Sequence, residues 1–135
     1  RSTLFPYTTL FRSLADPKVG AASDGTAAWA WSIPSPPSGR AVIIAQFHYE
    51  VGAQRPAWRE LSIRRNRNSG VWATTNFMYN PDGWMSDNPV FLGMATDLPT
   101  TGNVDIWTKM AFRDAGNNAF TRWEVAFSAI LILPC

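Results

Sequence analysis

The residues of this chain that could do chemistry are few and scattered. His48 is the single histidine. It alternates with Gln46 and Glu50 on one face of a strand-like run. A general base needs a neighbour to orient it and a pocket to tune it. No GxSxG, HExxH or Ser/His/Asp spacing surrounds His48, so it reads as a surface or interface histidine. Asp82, Asp87, Asp97, Asp105 and Asp114 fall mostly in turn-like segments. Two of them could face each other as in a glycosidase, but turn capping is the reading their positions favour. Asp82 and Asp87, with Asn80 and Asn88, carry the oxygen ligands calcium takes, yet the regular spacing of a calcium loop is missing. The sequence therefore implies no catalytic residue, no metal and no cofactor.

The one cysteine, Cys135, cannot form an internal disulfide or a cysteine-based zinc site. Arg64, Arg65 and Arg67 form the one basic cluster. Arg64 should alternate outward and Arg67 should sit in a turn, giving a solvated hairpin tip; a polyanion contact is the sharper alternative. Tryptophan is more informative, with seven in the chain. Trp29, Trp31 and Trp123 fall on expected core faces. Trp72 and Trp107 fall opposite the core set, and Trp84 lies in a turn region. Outward tryptophans either stack on sugar rings or bury against neighbouring subunits. A register slip of one residue would turn them into the core instead.

The elements that must position these residues are strands. Apolar residues make up 46% of the 135-residue chain and charged residues 16%, which suits one domain with many buried faces. Period-two alternation is clearest at 41–51: Ile43, Ala45, Phe47, Tyr49 and Val51 share one face, and Gln46, His48 and Glu50 the other. Further strands are expected at 27–33 (Ala27, Trp29, Trp31, Ile33 inward), 58–65 (Leu61, Ile63 inward), 71–79, 89–95, 104–112 and 120–133. Proline-rich 34–39 and the Asn-, Asp- and Gly-bearing segments 66–70, 80–83, 97–103 and 114–118 separate them. No segment has helical periodicity. Short strands with turn signals between them argue for an antiparallel β-sandwich or barrel. In the last strand Trp123, Val125, Phe127, Ala129, Leu131 and Leu133 are assigned to the core. Ile130 and Ile132 lie opposite, so they and the outward Trp72, Trp84 and Trp107 are the candidate ligand or subunit-interface residues. No apolar run approaches the about 18–20 residues of a membrane span.

Residues 3–13 (TLFPYTTLFRS) resemble a one-frame translation of a short-read sequencing adapter. Residues 1–13 are accordingly expected to be adapter-derived and disordered, with 14–26 a linker or lead-in and 27–135 the domain. The resemblance implies a metagenomic source. Arg1 and Arg12 are two of the twelve Lys and Arg residues, and all ten Asp and Glu residues lie after Ser13. The rest of the chain is formally neutral, which removes the electrostatic argument for nucleic acid.

The order of the pieces resembles the C1q/TNF-like jelly roll, including versions at the C-termini of bacteriophage tail and fibre proteins. Residues 39–49 (GRAVIIAQFHY) are similar to its Gly-led early strand, and 61–66 (LSIRRN) to the strand ending in a basic residue and Asn. Residues 102–107 (GNVDIW) resemble its Gly-Asp loop and following strand, and 127–132 (FSAILI) its terminal strand. Ala41, Asn103 and Ala129 depart from the family's usual aromatic, Asp and Gly. The resemblance implies a homotrimer with the terminal strand near the threefold axis, recognition of a cell-surface glycan or protein receptor, and a virion or extracellular location. The expected function is a non-enzymatic binding or assembly module, such as the C-terminal receptor-binding or structural domain of a phage tail or fibre protein. The alternative is a carbohydrate-binding module of a secreted enzyme. A small enzyme using scattered carboxylates ranks last.

Overall fold

The computed structural model describes residues 11–14, 18–19, 24–51, 58–78, 90–121 and 123–135. All regular structure among them is strand. The strands are β1 (Phe11–Leu14), β2 (Lys18–Val19), β3 (Thr26–Pro34), β4 (Arg40–Val51), β5 (Trp58–Arg64), β6 (Val71–Met78), β7 (Val90–Asp97), β8 (Asn103–Arg113) and β9 (Trp123–Pro134). One sheet, here called A, runs β1-β9-β4-β7, with β2 also on β9. Sheet B runs β3-β8-β5-β6. Every pairing is antiparallel. From β2 to β5 the chain passes from sheet to sheet at every strand; β5 and β6 pair as neighbours, and the alternation resumes from β7 to β9. That is the path of a jelly-roll β-sandwich.

The two inner faces make the core. On β4, Ala41, Ile43, Ala45, Phe47 and Tyr49 are fully buried, while Val42, Ile44, Gln46 and His48 on the other face are half-buried. This is the alternation read from the sequence. Trp29, Trp31 and Ile33 of β3, Leu61 and Ile63 of β5, and Ile106, Met110 and Phe112 of β8 supply the opposing layer. Burying each such side chain contributes about 1.5–3 kcal/mol.

Two bulges change which residues face inward. Between Ile63 and Arg64 the β5–β6 register shifts: Ile63 pairs with Ala73 and Arg64 with Val71, leaving Trp72 as the extra residue. Trp72 is half-buried against the core rather than facing solvent opposite it. Between Glu50 and Val51 the β4–β9 register also shifts, so Val125 pairs with Glu50 and Trp123 with Val51, with Glu124 left over. One extra residue inverts the faces of everything after it. Ala126, Ser128, Ile130 and Ile132 therefore form the core face of β9. Phe127, Ala129, Leu131 and Leu133, assigned to the core by simple alternation, are half-buried on the outside.

The sandwich also reaches N-terminal of residue 27. Phe11–Leu14 lies along β9, with Phe11 opposite Ile132 and Leu14 opposite Ala129, and Lys18–Val19 follows on the same edge. Without them the N–H and C=O groups on that side of β9 would have no ladder partner.

Candidate functional site

The outer faces of the two sheets differ in chemistry. On sheet B the face is mixed: a loop and an ion pair cover one part of it, while Ala30, Ser32, Val71 and Asp105 are exposed. Arg64 is only 8% exposed. Its Nε donates to Ser62 Oγ across 2.7 Å and its NH2 to Glu60 Oε1 across 2.6 Å. Arg64 thus alternates to the outer face as expected, but it is buried and ion-paired there instead of solvated. The following loop folds over this face. Asn66 Oδ1 accepts from the backbone N–H groups of Asn68 and Ser69, holding the loop closed. Arg67 donates to Thr26 Oγ1 (3.1 Å), and Lys109 Nζ to the Arg67 carbonyl (3.1 Å). Arg65 lies 5.7 Å from the Trp72 ring centre, a cation–π contact. Each arginine of the cluster is thus engaged within the domain.

Two groups there are electrostatically perturbed. The Asp24 carboxyl is held below its ordinary value, first by the hydrogen bond from the Thr26 hydroxyl and further by Arg67 and Lys109. Burial pushes the Lys109 ammonium down, and the Arg64 guanidinium adds to that. Both effects fit a loop clamped onto a sheet.

The outer face of sheet A is apolar. Its rows can be read straight across the ladder. Leu133 is opposite Val42, and Val42 opposite Ala95. Leu131, Ile44 and Gly93 make the next row, and Ala129, Gln46 and Phe91 the third. Phe127 ends the face against His48, the ring centres 4.7 Å apart. Across β9, β4 and β7 no residue of these rows is charged, while on β1 Arg12 stands opposite Leu131 and Leu14 opposite Ala129. The Arg40–Asp97 ion pair (3.0 Å) closes one end. Phe91 is 64% exposed, and with Val71 it is one of the two exposed large hydrophobics among the described residues. Among the described residues no strand lies across this face.

The residues singled out from the sequence are not gathered in one place. Trp107 is half-buried on the outer face of sheet B, between Ala30 and Arg64. Trp72 sits at the bulge on the edge of the core. Ile130 and Ile132 are core residues, 3% exposed each. Trp84, and Asn80, Asp82, Asp87 and Asn88 with it, lie outside the described residues. Asp114 caps its turn, accepting from the N–H groups of Gly116 and Asn118. Among the described residues no three of His, Cys, Asp and Glu come together as a metal site would require.

Two features escaped sequence reasoning. Phe91, Gly93 and Ala95 belong to a segment read as a strand but given no faces. Arg59 is 6% exposed on the core side of β5, where its NH1 donates to the Tyr49 hydroxyl and its guanidinium lies 5.0 Å from the Tyr49 ring centre. Its place beside the inward Leu61 and Ile63 on the period-two pattern was the available signal.

No family model matches the chain, and no curated protein does. Solved structures do resemble it. A subviral particle of infectious bursal disease virus VP2 aligns with a TM-score of 0.51 and 14% identity over 93% of this chain and 33% of that one. T=1 particles derived from the same virus align with a TM-score of 0.51 and 12% identity over 93% and 32%. The chain spans about a third of the length of these viral proteins. At such identity the likeness concerns the fold alone, a jelly-roll β-sandwich.

Proposed function

We propose that this domain is a non-enzymatic assembly module that associates with copies of itself through the outer face of sheet A. The observation that carries this reading is the uncharged row system from Phe127 to Leu133 on β9, Val42 to His48 on β4, and Phe91 to Ala95 on β7. Contiguous exposed apolar surface marks interaction sites on soluble domains. On sheet B part of the outer face is already taken up by a loop and the Glu60–Arg64 ion pair, which supports assigning association to sheet A.

The finer reading is a C1q/TNF-like C-terminal structural or receptor-binding domain of a phage tail or fibre protein, acting as a homotrimer in a virion or extracellular setting. The sequence resemblance supports it, and the jelly-roll path is consistent with it. The site moves from Ile130 and Ile132 to Leu131 and Leu133, the other side of the same strand. The carbohydrate-binding alternative now rests on Trp107 alone, because Trp72 packs on the core edge under Arg65.

Light scattering on the full chain tests the proposal. Threefold association is expected at micromolar concentration, and Ile44→Lys/Leu131→Lys should abolish it while leaving the domain folded. A wild-type chain that stays monomeric over that range would overturn it.

A further inference from the structure

A second association surface lies at the edge of sheet A, and it is independent of the outer-face reading. The sheet edges differ in how they are protected. An open edge offers unpaired N–H and C=O groups to any passing strand, and proteins blunt it with prolines, charges, bulges or short strands. β1 and β2 are two short pieces. β3 ends in Pro34, and its other end is tied down where Arg67 reaches Thr26. β6 carries the bulge at Trp72. β7 has none of these. It is eight residues long, holds register with β4 without a shift, and contains no proline and no lysine or arginine. Its only charge is Asp97 at the end, tied to Arg40. No described strand pairs with its other side.

We propose that β7 pairs antiparallel with β7 of a second copy of this chain, with the two-fold axis passing at Gly93. The sequence of the strand fits its own reverse. With Gly93 opposite its partner's Gly93, no side chain crowds the axis. Phe91 then lies beside the partner's Ala95, large against small, on the exposed face. Leu92 lies beside the partner's Met94 on the inner side. Across residues 90–96 no charge meets a like charge. A two-fold operator repeats each pair, so one favourable match counts twice. The joined sheet would run from β1 of one copy to β1 of the other, with the two apolar outer faces continuous.

The test uses the full chain in sedimentation velocity over a dilution series, with hydrogen exchange at the lowest and highest concentrations. The expected result is two-fold association, with alternate β7 amides gaining protection as concentration rises. Phe91→Lys/Ala95→Lys sets like charges opposite each other across the axis and should weaken association at least about tenfold. Phe91→Lys/Ala95→Glu sets opposite charges there and should restore most of it. Both positions are exposed, so neither pair should unfold the domain. Leu131→Lys should leave the two-fold step intact while removing the trimer, which separates this inference from the outer-face reading. Failure of the second pair to recover, equal association in all variants, or unchanged β7 exchange would each overturn it.

Discussion

Trp31 and Thr108 link the neighbouring strands β3 and β8 by a side-chain hydrogen bond inside the core. The indole Nε1 of Trp31 donates to the Thr108 hydroxyl across 3.1 Å, at a sequence separation of 77. Trp31 is 6% exposed and Thr108 not at all. Thr108 sits between Ile106 and Met110 on an otherwise apolar strand face, so its hydroxyl is there for the indole. Thr108→Val keeps the shape and removes the acceptor. The stranded N–H should cost about 1–3 kcal/mol, read as a lower urea midpoint with an unchanged slope. Thr108→Ser, which retains the oxygen, should cost less.

The faces of β9 give a second prediction. Ile132→Ala empties a core position and should cost about 2–5 kcal/mol. Leu131→Ala, one residue away on the outer face, should cost well under half of that in the isolated domain. Thermal or urea unfolding of the two variants compares them directly. Equal losses would mean that Leu131 is as buried as Ile132 and that the bulge does not invert the strand.

That inversion also shows what sequence can and cannot display. β4 was legible because its two faces differ in chemistry: Ala41, Ile43, Ala45 and Phe47 inward, Gln46 and His48 outward. β9 is apolar on both faces, so nothing in its composition marks the slip at Glu124. The same holds at Trp72, where a bulge moved a tryptophan from the outer face to the core edge. Arg59 was obscured for another reason. A charged residue on the inward parity reads as an exception, and only the fold supplies the Tyr49 hydroxyl and ring that accommodate it. Of the apolar outer face of sheet A, only the two-sided apolar terminal strand was legible, and its outward side was taken to be Ile130 and Ile132, which are core residues. The width of that face was not legible, because the pairing of Leu131 with Ile44 and of Ile44 with Gly93 joins residues far apart in the chain.

Gly25 carries a third prediction. It has φ of +74°, and a Cβ there would lie 2.6 Å from the Phe112 carbonyl oxygen. Its own carbonyl accepts from the Phe112 N–H at 3.0 Å, so the backbone cannot simply move away. Gly25→Ala should therefore destabilise the domain by more than about 1 kcal/mol, combining left-handed strain with a backbone clash. Gly102 has a similar φ of +73° but open space around it. Gly102→Ala should show the strain alone, and the difference between the two unfolding midpoints measures the clash.

The clamp over sheet B should make stability depend on acid. The Asp24 carboxyl is held below its ordinary value of 3.8 in the fold, chiefly by the Thr26 hydroxyl. In the unfolded chain it returns to that value, so between the two values the unfolded state binds more protons. The stabilisation is then fully present above the ordinary value and is lost as pH falls through the lowered one. Asp24→Asn removes the charge while keeping the shape. Near neutral pH its urea midpoint should fall below that of the wild-type chain, and the gap should shrink as pH falls below the carboxyl's ordinary value. A gap that persists undiminished in acid would show that the Thr26 and Arg67 contacts do not depend on the carboxylate.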